Sequence, residues 1–206
     1  MQIKVKRQKT IINITDIQRK FKISQRLVRY IVKNSISRLY CGSYEISIIF
    51  CSENYIKKLN KTYRNQNKTT DVLSFDIKEF IGGVYHIGEI YISPSVAQKN
   101  YIDNCDFWEK TDWISSRSVN NYSVNNYSGN NFKCSHNYDK ESENRQQYYC
   151  RNGFSSEIAL LLIHGILHLF GYDHDEEHKL NLDDEAYDMD MKNMQNFLYK
   201  ELKIKT

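Results

Sequence analysis

His164-Gly165-Ile166-Leu167-His168-Leu169-Phe170-Gly171-Tyr172-Asp173-His174 is the stretch from which the rest of the chain is best read. Ile158 to Ile163, just before it, is apolar all round, as in a helix buried at a domain centre. His164 and His168 are four residues apart, so both imidazoles project from one face of that helix. Gly171 can take the left-handed conformation that stops the helix and turns the chain back. The turn can bring His174 to the same point. Three neutral imidazoles at one corner of a tetrahedron leave the fourth position open, the pattern of a catalytic rather than a structural zinc site. A single histidine on an apolar helix is usually a hydrogen-bonded core residue. Three of them around a helix-ending glycine do not fit that description. One zinc ion per chain is expected, held by His164, His168 and His174, although nickel and copper also suit such ligands.

The spacing H-x3-H-x2-G-x2-H equals that of the metzincin proteases. In those enzymes a glutamate follows the first histidine and acts as general base. Gly165 occupies that position here, so a peptidase would lack its proton shuttle. The metal geometry is shared and the chemistry is expected to differ.

Working outward, Ser156 can cap the buried helix, with Glu157 in its first turn at the positive end of the helix dipole. A last helix is expected from about Asp183, with Tyr187, Met191, Met194, Leu198 and Leu202 as its core stripe. Upstream, Leu27, Val28, Ile31, Ile36 and Leu39 have helical spacing over Ser24 to Leu39, and Gly42 is expected to end that helix. Tyr44, Ile46, Ile48 and Phe50 alternate as in a strand with one buried face. Ser52 can cap a helix whose apolar stripe is Tyr55, Ile56, Leu59 and Tyr63. Asp71 to Ile77 and Gly88 to Ser93 read as two strands, antiparallel if Gly82-Gly83 closes a turn between them. Pro94 opens a short helix.

The 206 residues, 40% of them hydrophobic, suffice for one domain spanning 1–206 with an insertion inside it. That insertion is expected over 104–150, where SVNNY SVNNY SGNNF repeats at 118–132 and aliphatic residues are few. Such a segment cannot bury enough apolar area to offset its ordering entropy and should be largely disordered. No stretch reaches the roughly 18 apolar residues of a membrane span. The first residues, MQIKVKRQKT, lack the apolar core of a signal peptide, so a cytoplasmic protein is expected. Five cysteines at irregular spacing read as reduced thiols. Charge is uneven: residues 1–40 hold eleven Lys or Arg against one acid, a net +10, and residues 173–190 carry a net −8. A basic face of this kind suits a polyanionic partner.

HGILHLFGYDH resembles the signature of the YbeY family, bacterial rRNA maturation factors and endoribonucleases. Leu59-Asn60-Lys61-Thr62-Tyr63-Arg64 and Thr70-Asp71-Val72-Leu73-Ser74-Phe75 are similar to that family's LN..YR and TDVLSF. Gly88-Glu89-Ile90-Tyr91-Ile92-Ser93 is a third match, with Glu89 where the family usually has Asp. The resemblance implies an α+β domain, a small mixed sheet packed with helices and zincin-like in architecture, with the metal site at the end of the buried central helix. It implies a zinc-dependent, single-strand-specific endoribonuclease acting in maturation of the 16S rRNA 3′ end and in ribosome quality control. Its partners would be ribosomal RNA and ribosomal particles, with no membrane. It also implies Arg64 as the catalytic clamp, since the motif arginine falls there, and a planar guanidinium donates to phosphate in a bidentate way. Ser74 either donates to substrate or is a solvent-facing strand residue, and Asp71 either orients a histidine or caps a turn. Two other readings remain open on the residues alone: a metzincin-like zinc peptidase without its glutamate, and a non-catalytic zinc-containing ribosome-assembly factor.

Overall fold

A computed structural model describes residues 8–103, 140–173 and 191–202 of the chain. The strands are β1 (Thr10–Asp16), β2 (Tyr44–Phe50), β3 (Val72–Ile81) and β4 (Val84–Ile92). They form one mixed sheet in the order β1-β2-β4-β3. β1, β2 and β4 are parallel, and β3 pairs antiparallel to β4 at the edge. The helices are α1 (Gln25–Leu39), α2 (Glu53–Arg64), α3 (Pro94–Asp103), α4 (Lys140–Leu169) and α5 (Met191–Glu201). The fold is therefore α+β with a small mixed sheet, as expected.

Local signals in the chain set most of these boundaries. The Ser24 hydroxyl accepts from the Leu27 amide and caps α1; the Ser52 hydroxyl accepts from the Tyr55 amide and caps α2. β2 alternates buried and half-buried along its whole length. Gly82 and Gly83, both at positive φ, close the β3–β4 hairpin. Met191, Met194, Leu198 and Leu202 are buried, as the last helix's stripe requires. The start of that helix near Asp183, and Tyr187, lie outside the described residues, as do the repeats at 118–132.

Three expectations are corrected, and one strand was not among them. β1 pairs with β2 alone at the other edge, and its short TIINITD pattern carries too little alternation to announce it. β3 runs past Ile77 to Ile81, because a register shift between Asp76 and Glu79 lets an exposed, polar hairpin arm continue the ladder. Helix α1 ends when Tyr40 turns extended, before Gly42 is reached. Finally, Ser156 and Glu157 lie inside α4 and not at its start, because the helix already runs from Lys140.

The main core lies on one sheet face, under α1, α4 and α5. Leu162, Ile163, Ile166 and Leu167 of α4 have no accessible surface. Each such side chain contributes on the order of 1.5–3 kcal/mol, so this apolar set dictates how α4 sits on the sheet. The histidines are carried to their place by it. On the opposite face α2 covers a smaller core of Cys51, Ile56 and Leu73. Burial pushes the Cys51 thiol up to about 12, so it is an inert packing group, and Cys41 and Cys51 are both unbridged.

Candidate active site

Helix α4 crosses β3 and β4 in unusually close contact at one residue. A Cβ added to Gly165 would stand 2.9 Å from Ser74 Oγ and 3.0 Å from two side-chain carbons of Ile90. A side chain there would require Ser74 and Ile90 to shift. The glutamate that a metzincin peptidase needs at this position is absent from the sequence, and the close packing disfavours any side chain in its place. The same contact corrects the reading of Ser74, whose hydroxyl faces α4 and not solvent.

One residue before and three after Gly165, His164 and His168 stand on a half-buried strip of the helix. Their Nε2 atoms are 3.1 Å apart and their rings nearly perpendicular, at 85°. Two nitrogens bound to one zinc at tetrahedral angles lie about 3.3 Å apart, from Zn–N distances of roughly 2.0–2.1 Å. The pair thus matches the spacing of two ligands of one ion, and also that of a direct N–H···N bond. His164 Nδ1 is 3.1 Å from Gln195 Oε1 on α5. If Nδ1 carries the ring hydrogen and donates to that oxygen, Nε2 is left with its lone pair toward His168, the tautomer a metal ligand needs. Gln195 was not legible as a site residue, since 31 positions separate it from His164. Among the described residues no third ligating group joins the two histidines. His174 lies outside the described residues.

The helix ends by the expected device. Gly171 has φ of +87°, the Tyr172 amide donates to the Leu167 carbonyl, and the Gly171 amide donates to the His168 carbonyl. This is a Schellman motif, which satisfies the last carbonyls of α4 and reverses the chain just ahead of His174.

Arg64 is the last residue of α2 and is exposed. It lines a cavity of about 360 Å³ with Asn60, Gln66, Lys68, Asp71 and Asn100. Asn65 turns the chain in the left-handed conformation immediately after Arg64. Asn60, 2% exposed, then anchors the loop: its amide donates to the Lys68 carbonyl, and its own carbonyl accepts from the Gln66 amide. The motif asparagine is thus the residue that shapes the Arg64 cavity. Asp71 is fully occupied locally: its carboxylate accepts from the Val72 amide, the Thr70 hydroxyl and the Asn100 side chain. It caps the entry to β3 and ties that strand to α3; among the described residues it makes no bond to either histidine.

Glu157 lies two helical turns before His164 on the same face of α4. Burial, and secondarily the Asp71 carboxylate, push its carboxyl up from 4.5 to about 7. The seven-residue step from Glu157 to His164 amounts to about 10 Å of helix. The Asp71 wall of the cavity and the histidine pair are accordingly at different levels along α4. Part of the basic N-terminal segment serves the fold: Arg29 donates to the Ile12 carbonyl, and Arg38 pairs with Glu201 at 2.8 Å. No described helix is long and apolar enough to cross a membrane.

A family profile described as "Endoribonuclease YbeY" matches residues 10–106 and 109–203. The chain is similar to a protein named Endoribonuclease YbeY from Clostridium botulinum (strain Hall), 30% identical over 171 residues, covering 81% of this chain and 87% of the relative. A relative of the same name from Aquifex aeolicus is 27% identical over 142 residues, covering 69% of this chain and 64% of its own length. A Thermotoga maritima protein solved in solution aligns with a TM-score of 0.44 and 26% identity, covering 93% of this chain and 89% of that one.

Proposed function

The chain belongs to the YbeY endoribonuclease family, and from that premise we propose that it is a zinc-dependent hydrolase that cuts single-stranded RNA. Its place would be in maturation of the 16S rRNA 3′ end and in ribosome quality control, with ribosomal RNA and ribosomal particles as partners. The observation that supports the metal most directly is the convergence of the His164 and His168 Nε2 atoms to 3.1 Å at the end of the buried helix. His174, three residues past the Gly171 turn, is proposed as the third ligand of one zinc ion per chain. When bound, zinc supplies the Lewis acidity that activates water near neutral pH.

The chain's own residues supply the rest. Gln195 fixes the tautomer and orientation of His164. Arg64 is the proposed clamp on the scissile phosphate, where its fork can donate to two non-bridging oxygens as charge builds on them. Lys68 lines the same cavity and adds a second positive charge. Asn60 holds the loop that carries Lys68 and so sets the spacing of the two cations.

The test is to incubate the purified full chain with ribosomal RNA, with and without a chelator, and to map the ends produced. Cleavage in unpaired segments that stops with chelator and returns with zinc is expected. Cleavage that persists undiminished after exhaustive metal removal would overturn the zinc reading.

A further inference from the structure

Helix α2 has the apolar stripe of a core helix, yet only part of the stripe is covered. Ile56 is fully buried, whereas Tyr55 is 41% and Tyr63 is 66% exposed. Beside them β3 and β4 present Phe75 and Tyr91, both half-buried, on the same sheet face. The four rings form one continuous chain. Tyr63 meets Phe75 edge-on at 5.0 Å, Phe75 meets Tyr91 edge-on at 5.7 Å, and Tyr91 stacks on Tyr55 at 6.3 Å. The Tyr91 hydroxyl donates to Glu89 Oε2 at 2.8 Å, which holds that ring in place. A surface fixed in advance loses little side-chain freedom when something binds to it.

Charge decides what that something is. α2 carries Lys57, Lys58, Lys61 and Arg64 against one acid, Glu53, and Lys58, Lys61 and Arg64 are exposed. Protein-binding patches are depleted in lysine at their centres. Rings interleaved with cations suit single-stranded nucleic acid, because every base offers a π face and every phosphate a negative charge. The position also fits. β3 is the sheet's edge strand, and consecutive residues on it point to opposite faces. Phe75 belongs to the ring chain while Ser74 meets α4 at Gly165. An RNA strand passing over this edge goes from the rings to the helix that carries the histidines.

We propose that Tyr55, Tyr63, Phe75 and Tyr91 form a stacking platform for unpaired bases of an RNA substrate whose phosphates follow the lysines of α2. The proposal rests on the reading of the chain as a ribonuclease. The test therefore measures binding separately from cleavage. The anisotropy of a labelled oligouridylate is followed with the full chain across a salt series, the probe being verified intact afterwards. Tyr63→Ala should weaken binding about tenfold with an unchanged salt slope, since the lost contact is stacking and not charge. Tyr63→Phe should bind as the parent does. Tyr63→Leu should be as weak as Tyr63→Ala, because an apolar side chain without a ring cannot stack. Phe80→Ala, an equally exposed aromatic at the hairpin end of β3, should change nothing. Replacing uridine by photoreactive 5-iodouridine should place crosslinks on Tyr63 or Tyr55. If the parent binds and Tyr63→Ala binds equally well, the platform is wrong and the exposed rings are left to a protein partner. If the parent itself fails to bind oligouridylate at any salt, the ribonuclease reading falls with it.

Discussion

Helices α4 and α2 break the same rule in opposite directions. From Ile158 onward α4 is apolar and mostly buried, yet it carries His164 and His168 on a half-buried strip. α2 is polar and mostly exposed, yet it carries Tyr55 and Tyr63 with 41% and 66% of their surface in solvent. In each case the bulk of the helix follows ordinary patterning and the exceptions sit where chemistry or binding is proposed. A polar group in a core costs stability unless it is hydrogen-bonded, and a cluster of exposed aromatics marks a binding surface. The difference lies in what holds the exceptions. The histidines are held by a core set that has no freedom to move and by Gln195 of α5. The tyrosines rest against rings of the sheet face beneath, Tyr63 on Phe75 and Tyr55 on Tyr91.

The comparison is broken most forcefully at α4. His168→Ala should lose zinc, as read by metal analysis, and ribonuclease activity should fall to background. A His168→Ala protein that keeps a full zinc complement would remove the centre of the proposal. At the end of α2, Arg64→Ala should lose roughly a hundredfold in rate, by analogy with removal of one oxyanion donor. Arg64→Lys should also be impaired, because a point charge cannot reproduce the fork. Zinc content and melting temperature should stay at parent values in both; a drop in either would make Arg64 a scaffold residue.

The tightness of α4 on the sheet can be sharpened at Gly165. Gly165→Ala should cost about 1–3 kcal/mol in denaturant unfolding, the range for overpacking a filled core, because the new methyl meets Ser74 and Ile90. An unchanged midpoint would mean that the helix can lift without penalty. Gln195→Ala should weaken zinc affinity about tenfold while leaving the fold intact, the usual scale for an outer partner of a ligating histidine. A competition titration against a chelator reads this directly, and parent-like affinity would show that the His164 tautomer needs no help.

The smallest effect concerns Glu157. Its folded pKa of about 7 stands above the ordinary 4.5, so the folded state holds this proton more tightly than the unfolded chain. Its contribution to stability is complete below the unfolded value and is lost as pH rises through about 7. Glu157→Gln should therefore raise stability by roughly 1 kcal/mol above neutral pH and flatten the pH dependence between the two values. Parallel pH profiles for the variant and the parent would place the carboxyl in water.

Several of these features were readable from the residues because they are settled within a few positions of chain. The four-residue spacing of His164 and His168, the Gly171 turn, the Ser24 and Ser52 caps and the alternation of β2 all depend on local sterics and on hydrogen bonds spanning a turn or less. Others needed the tertiary structure because their causes lie far apart in sequence. β1 became a strand only by pairing with β2, some 34 positions on. Tyr63 fits a core stripe by spacing, but the sheet beyond it ends at β3 and the ring stays 66% exposed. Gly165 looked like a missing glutamate until Ser74 and Ile90 were seen against it. Glu157 has a helix-dipole position by sequence and a buried one in space, which reverses the expected sign of its pKa shift. Periodicity reports which face of an element is apolar; only the packing of distant elements decides whether that face finds a partner.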